Sequence, residues 1–364
     1  MKIVCTQDEL SRFLQIVSRA IASKTTLPIL TGILMETNEN SLRCLATDLE
    51  IAIEVTVPNI QVLEPGSIVL PGKTFVDIIK HLPPYPIEIE FNDRSKMVSI
   101  NSHHSSYQLP VLPLEEFPTL PELKDGEKVV INNGILKDGI RQTIYATLIE
   151  DPRPFLSSIL WEINHDKLRL VATDVNRLAI RDMKIQSETE KTALVPVRSL
   201  REASNIFGTG DQDDLTVYLT DKLIFIEGLG IRFSSRLVEA QFPRYEPVIP
   251  KEFKGSFTVK RNEMIEALER TVLVSTSLKI NINQTNLIIT AQEPDKGHSK
   301  EEVEIDLSGE PMEIGFNGRF LLDFLKTVES ERIGFKYVEE QKPALLQGEN
   351  ETEYEYIVMP LKLA

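Results

Sequence analysis

Cysteine is almost missing from this chain. Cys5 and Cys44 are the only two in 364 residues, too few for a disulfide framework, and they read as buried thiols of a reducing cytoplasm. Histidine is scarce too: of five, only His103 and His104 adjoin. With no HExxH or Cys-x-x-Cys spacing, neither a metal site nor a cofactor is expected. Long hydrophobic runs are lacking, and none approaches the ~20 residues of a membrane span. The opening MKIVCTQDEL reaches acidic residues at once, without the apolar core of a secretory leader, so the expected location is cytoplasmic. Positive charge is in deficit. A net charge of −15 favours solubility and argues against gripping nucleic acid with the whole surface. No nucleophile–base set stands out, so no catalytic residue is expected. GTGDQDD (Gly208 to Asp214) lacks the glycine and terminal glutamate spacing of a calcium loop and reads as a tight acidic hairpin. The single tryptophan, Trp161, sits in a strand-like run and reads as core.

What is present is repetition. LRCLATD (Leu42 to Asp48) returns 126 positions later as LRLVATD (Leu168 to Asp174). LPGK (Leu70 to Lys73) returns as VPVR (Val195 to Arg198), and EEFPTL (Glu115 to Leu120) as AQFPRY (Ala240 to Tyr245), both at an offset of 125. A fainter third copy follows. LIITA (Leu287 to Ala291) answers LRLVA, EIGFNGRF (Glu313 to Phe320) answers ALVPVRSL (Ala193 to Leu200), and VMPLKL (Val358 to Leu363) answers VLPLEE (Val111 to Glu116). The period is far longer than the ~20–50 residues of solenoids and propellers; it is that of a domain. The chain therefore reads as one domain written three times, 1–125, 126–252 and 253–364, and repeated domains build symmetric objects. Asp48 and Asp174 stand in register across copies, which points to a shared turn rather than a carboxylate pair.

Each copy is an α+β unit. In the first, Ile3 to Val4 reads as a strand, Thr6 and Glu9 as a capping pair, and Leu10, Phe13, Leu14, Val17 and Ile21 as the apolar face of a helix. Strand-like runs follow at Ile29 to Met35, Leu42 to Ala46 and Ile51 to Val57. A second helix begins after Pro71, with Phe75, Ile78, Ile79 and Leu82 on one face, and stops at Pro83 and Pro84. Further helices are predicted from about Asn133 to Leu148, from Arg198 to Phe207 with Ser199 and Glu202 as a capping pair, near Asn262 to Val274, and from Gly318 to Glu329. Their polar faces carry Arg12, Arg19, Lys73, Lys80, Lys137, Arg141, Arg198, Arg201, Arg270, Arg319 and Lys326. Taken singly these are ordinary solvated residues. As a set on one side of an acidic molecule they form a local footprint for a polyanion.

Four segments carry a specific resemblance: TTLPIL (Thr25 to Leu30), ATD with NRLA (Ala172 to Ala179), QFPRYEPVIP (Gln241 to Pro250) and VMPL (Val358 to Leu361). In these, and in order and length, the chain resembles the bacterial DNA polymerase sliding clamps, the β subunits of the replicase. The resemblance implies a DNA-clamp fold of three domains, each with two helices packed on antiparallel sheets. It implies a head-to-tail homodimer closed as a ring around duplex DNA, read without regard to sequence. It implies a non-catalytic tether that gives polymerase its processivity and is placed on DNA by a clamp loader. A few mobile cations in an otherwise negative ring suit sliding, because strong phosphate contacts would impede it.

Carried over residue by residue, the resemblance implies a pocket for short client peptides at Arg153, Leu156, Thr173, Arg177, Leu178, Pro243, Val248, Ile357, Val358, Met359, Pro360 and Leu361. It implies DNA contacts at Lys24, Lys73, Arg141, Arg198 and Phe155, and a dimer seam joining Tyr107 and Leu109 to Leu273 and Val274. Departures from the family pattern fall at Val175 and Asn176, where Gly-His is common, and at Pro247 and Pro343. Others are Lys24 in place of arginine, Glu150, and a shortened STSLK before Ile280. Two rival readings are an interdomain-cleft hydrolase using Asp174 and Arg177, and a protein-binding scaffold indifferent to DNA.

Overall fold

The computed structural model describes residues 1–123, 125–149, 151–208 and 212–362. The expected hairpin in GTGDQDD falls partly, and Glu150 wholly, outside them. The chain forms two compact units. One holds Met1–Gly134 with Arg198–Leu237; the other holds Ile135–Val197 with Val238–Ala364. The second sequence repeat is thus shared between them.

Six α-helices occur among the described residues: α1 (Gln7–Val17), α2 (Gly72–His81), α3 (Asn133–Ile144), α4 (Val197–Ile206), α5 (Arg261–Thr271) and α6 (Gly318–Leu325). Each falls where the sequence reading places one, within a few residues. α1 buries Leu10, Phe13, Leu14 and Val17, the stripe read from the sequence. α2 ends at Leu82, which turns extended because a proline follows. The caps differ from expectation. Thr6 is the N-cap of α1, but its hydroxyl makes no cap bond. Ser199 cannot cap α4, which starts two residues earlier; its buried hydroxyl instead accepts a bond from Ser235 Oγ (2.7 Å). Glu202, its expected partner, pairs with Arg19 (3.2 Å). α3 and α6 stop four residues short of the lengths read from the sequence. α6 has a side-chain cap, Asn317 Oδ1 accepting from the Arg319 N–H at 3.0 Å. The run expected as a strand from Ile29 begins as a 3₁₀ turn over Pro28–Thr31, where proline fixes φ, before the strand Gly32–Asn38.

Every strand pairing is antiparallel. The first unit has a five-stranded sheet in the order Gln61–Glu64, Lys2–Cys5, Ile87–Asn92, Met97–Ser102, Ser105–Pro110. Its eight-stranded sheet runs Glu127–Asn132, Asp214–Leu219, Leu223–Gly228, Ile231–Arg236, Ile51–Val57, Ser41–Thr47, Gly32–Asn38, Ser67–Pro71. Here the last strand of the second repeat, Ile231–Arg236, zips onto Ile51–Val57 of the first, with Ile231 opposite Val55 and Phe233 opposite Ile53.

The second unit repeats the device. Its nine-stranded sheet runs Glu190–Pro196, Ser158–Asn164, Lys167–Thr173, Arg177–Lys184, Tyr354–Val358, Ala344–Gly348, Arg332–Tyr337, Gly255–Lys260, Asp306–Gly309. Its four-stranded sheet runs Gly297–Glu304, Asn286–Glu293, Ser277–Ile282, Met312–Asn317. The last strand of the third repeat, Tyr354–Val358, zips onto Arg177–Lys184 of the second, with Tyr354 opposite Arg181. Two backbone ladders thus join successive repeats at equivalent strands.

The cores are apolar, and Trp161 is buried. Cys5 and Cys44 are buried, free thiols. Burial pushes Cys5 up to about 12, with Glu9 adding to the shift, and raises Cys44 as well, so both stay protonated at neutral pH.

Gly309 ends the outermost strand of the nine-stranded sheet at φ +126°, and a Cβ there would strike the Lys254 carbonyl oxygen. Gly309→Ala is expected to cost about 2 kcal/mol or more, read as a lowered urea midpoint; an unchanged midpoint would mean that the strand end relaxes freely.

Candidate functional site

The ATD motif is a turn kit. Thr173 Oγ1 donates to the Arg177 carbonyl (2.7 Å) and accepts from the Val175 N–H (3.1 Å). Asp174 Oδ1 accepts from the N–H groups of Asn176 and Arg177, both at 3.0 Å. Thr47 and Asp48 make the same four bonds, to Ile51 O, Leu49 N–H, Glu50 N–H and Ile51 N–H. This is the shared turn that the register predicts, and it forces the residue after Asp into the left-handed region: Leu49 at φ 75° and Val175 at φ 80°. A β-branched residue adopts that conformation only at a cost of roughly 1–2 kcal/mol. Val175 is nevertheless 58% exposed.

The two copies diverge one turn later. Ile51 of the first is a plain core residue. Its counterpart, Arg177, is 9% exposed and fully engaged. Nε donates to Asp174 Oδ2 (2.9 Å), one terminal nitrogen to Asp323 Oδ2 (2.6 Å), and the other to the Tyr145 carbonyl (2.6 Å). The guanidinium lies 4.3 Å from the Phe320 ring centroid and 5.4 Å from that of Tyr145. Burial alone would weaken its positive charge; Tyr356, Asp323 and Asp174 outweigh burial and raise its pKa. Behind it the Tyr145 and Tyr354 hydroxyls meet at 2.7 Å. Burial lifts both phenols well above their usual range, so both stay neutral at physiological pH and either can donate to the other. Asp174 and Arg177 are committed to each other and to the fold, which removes the pair on which the hydrolase reading rests.

Above this buried pair opens a cavity of about 270 Å³, lined by Phe155, Thr173, Val175, Arg177, Leu178, Pro243, Arg244, Tyr245, Val248, Ile357 and Met359. It lies at the low end of ligand-pocket sizes and suits a few anchoring side chains. Seven residues expected in a peptide pocket line it: Thr173, Arg177, Leu178, Pro243, Val248, Ile357 and Met359. Five others do not. Leu156 and Val358 are fully buried beneath. Arg153 is turned onto Asp151 at 2.9 Å and holds that carboxyl down at about 2. Leu361 N–H bonds the Gly315 carbonyl (2.8 Å), and Pro360 precedes it. Pro247 and Pro343 do not line it either. Sequence reasoning missed Arg244 and Tyr245, although both stand inside QFPRYEPVIP. Phe155, expected at DNA, lies in the cavity wall edge-on to Phe242 (6.1 Å).

Of the other expected DNA contacts, Lys24 and Lys73 are exposed and make no ion pair among the described residues. Arg198 is tied to Asp48. Arg141 reaches Asp138 (3.0 Å), Glu329 (2.9 Å) and the Thr327 carbonyl (2.7 Å). Arg19, Arg270 and Lys326 are likewise held, by Glu202, Glu301 and Glu269. Arg12, Lys80, Arg201 and Arg319 make no ion pair among the described residues. At the expected seam, Tyr107 (43% exposed) and Leu109 lie on the edge strand Ser105–Pro110. Leu273 (74% exposed) and Val274 follow α5.

Arg177→Ala is expected to destabilise the protein by about 3–5 kcal/mol, because Asp174 is left buried without its cation; a change under about 1 kcal/mol in urea unfolding would show that the pair is dispensable. Val175→Gly should be neutral or stabilising by up to about 1 kcal/mol, since relief of the left-handed strain offsets glycine's extra chain entropy. A clear loss of stability would show that Val175 is held by packing.

Comparisons with known proteins cover the whole chain. Family models described as the N-terminal, central and C-terminal domains of the DNA polymerase III beta subunit match residues 1–121, 130–244 and 246–362. A beta sliding clamp of Staphylococcus epidermidis is 30% identical over 358 residues, 94% of each chain. The crystal structure of the DNA polymerase sliding clamp from Bacillus subtilis is 27% identical, with a TM-score of 0.96 and full coverage of both chains. That of the DNA polymerase III beta subunit from Thermotoga maritima is 30% identical with a TM-score of 0.92, again with full coverage. With its repeats, its joined sheets and these likenesses, the chain belongs to the bacterial DNA polymerase III beta-subunit family, the sliding clamps.

Proposed function

We propose that this clamp works as a head-to-tail homodimer closed around duplex DNA, holding polymerase and other clients through short peptides seated in the cavity beside Val175 and Met359. Sliding clamps are processivity factors of DNA replication and not catalysts, with DNA and polymerase as partners. The finer reading covers the dimer, the clamp loader, the peptide clients, a cytoplasmic location and the division into domains 1–125, 126–252 and 253–364. Among the described residues, no helix is long and apolar enough to cross a membrane.

One observation carries the ring. The last strand of the second repeat pairs with a fixed strand of the first, and that of the third with the same strand of the second. The series leaves one of each over. Ser105–Pro110, the last strand of the first repeat, has a partner on one side only, and so has Gly297–Glu304, the receiving strand of the third. Edge strands left open invite a partner, and a second copy supplies each with its complement, twice, by a two-fold operation. Carrying over the register of the two existing ladders puts Ser105 opposite Glu301 and Tyr107 opposite Ser299 of the second copy. Leu273 lies beside that edge, since Arg270 at the end of α5 holds Glu301 (2.7 Å).

The cations support sliding rather than gripping. Several helix cations already share their charge with carboxylates, whereas Lys24, Lys73, Lys80, Arg12, Arg201 and Arg319 remain for phosphates. Few released counterions mean weak, salt-sensitive, sequence-independent contact. For the cavity, the support is its apolar wall with a few placed polar groups.

Sedimentation should give a dimer at micromolar concentration for the native chain, and a shift toward monomer for Leu273→Asp; a native monomer would sink the ring. Loaded by its clamp loader, the protein should stay on nicked circular DNA and be lost on linearisation. Equal retention on both would favour simple binding over encirclement.

A further inference from the structure

The cavity has one guanidinium to spare. Three arginines stand in or beside it. Arg153 is spent on Asp151, with bonds of 2.9 and 3.0 Å to its two oxygens. Arg177 is spent on Asp174 and Asp323. Arg244 lines the cavity, is exposed, and has no ion pair or hydrogen bond of its side chain among the described residues. Neither Glu239 nor Glu246, its nearest carboxylates in sequence, pairs with it. Its base is nonetheless fixed. Pro243 precedes it, and Tyr245 after it is 6% exposed, with its hydroxyl donating to Glu162 Oε2 at 2.6 Å and its carbonyl accepting from the Val248 N–H at 2.9 Å. The facing wall is apolar, from Phe155, Val175, Leu178 and Ile357. A cation at the rim of a low-dielectric wall attracts a counter-charge more strongly than one in open water.

We infer that Arg244 selects client peptides carrying an acidic side chain next to their apolar anchors. This rests on the reading of the cavity as a peptide site. The strained, exposed Val175 across the rim adds an apolar contact for the anchor, which a glycine could not give. A peptide fits better than a nucleic acid strand, because the single cation faces apolar side chains rather than a track of further cations.

The test uses fluorescein-labelled decapeptides with one leucine and one phenylalanine anchor, in which each flanking position is in turn Asp, Asn or Lys. They are titrated by fluorescence anisotropy with the full-length chain, with Arg244→Ala and with Arg244→Glu. At one position or more, Asp should bind the native chain about three- to fivefold tighter than Asn, the range of a partly exposed charge pair. The advantage should shrink with salt, vanish in Arg244→Ala and pass to Lys in Arg244→Glu. An Asp advantage that survives Arg244→Ala overturns the assignment. So does equal binding of Asp and Asn peptides that are both weakened by Met359→Ala, an outcome that leaves the peptide site standing. If no anchored peptide binds, the peptide site itself falls, and the selection with it. A single-stranded oligonucleotide that displaces the Asn peptides only when Arg244 is present would assign the charge to phosphate instead.

Discussion

Backbone pairing between repeats is the constraint on which the rest depends. Within each unit, the closing strand of one repeat extends the sheet of the one before it, through Ile231–Arg236 on Ile51–Val57 and Tyr354–Val358 on Arg177–Lys184. Such ladders leave no loose joint, because main-chain hydrogen bonds at alternate residue pairs, with side-chain contacts between them, hold the whole seam. They also satisfy two sheet edges that would otherwise template aggregation. A chain of three repeats has only two such joints to make. The strands left over, Ser105–Pro110 and Gly297–Glu304, are therefore determined by counting.

Divergence between copies has turned one of these joints into the wall of a cavity. Both ATD turns are built alike, down to the four bonds around Thr and Asp, yet the first is followed by Ile51 and the second by Arg177. The arginine draws in Asp323, Phe320 and Tyr145, so the floor of the cavity is an ion-paired, hydrogen-bonded cluster and not simple hydrophobic packing. A buried pair of this kind contributes little net stability but penalises any arrangement that separates its members. It fixes the depth and shape of the cavity. The left-handed Val175 on its rim is the opposite case, a residue kept at a backbone cost and left in solvent.

The electrostatics follow a similar economy. An acidic chain that must travel along an acidic polymer cannot present many unopposed cations without sticking, nor so few that contact is lost. Arg19, Arg198, Arg270 and Lys326 are each answered by a carboxylate, whereas Lys73 and Lys80 on α2 have none among the described residues. Charge is thus tempered locally, residue by residue, rather than by the net balance alone.

Much of this was legible in the residues. The repeat period, the places of all six helices and the turn-forming role of Asp48 and Asp174 are local facts, set by spacing and by side chains that bond their own backbone within a few positions. The ends of α3 and α6, the misplaced cap at Ser199 and the 3₁₀ turn at Pro28 were less so, because neighbouring segments compete for the same groups. The cavity was half legible. Thr173, Arg177, Pro243 and Met359 stand in recognisable motifs, but strand alternation sends Val358 into the core while Ile357 faces the cavity, and which face is which depends on register with a strand far away in sequence. The same holds for charge. Sequence by itself determined that the chain is one domain three times over, which residues could bear charge, and where its turns fall. Tertiary structure alone decided which strands meet, which arginines are already spent and that Arg244 has no carboxylate partner among the described residues, because those outcomes depend on which groups the folded chain brings together in space.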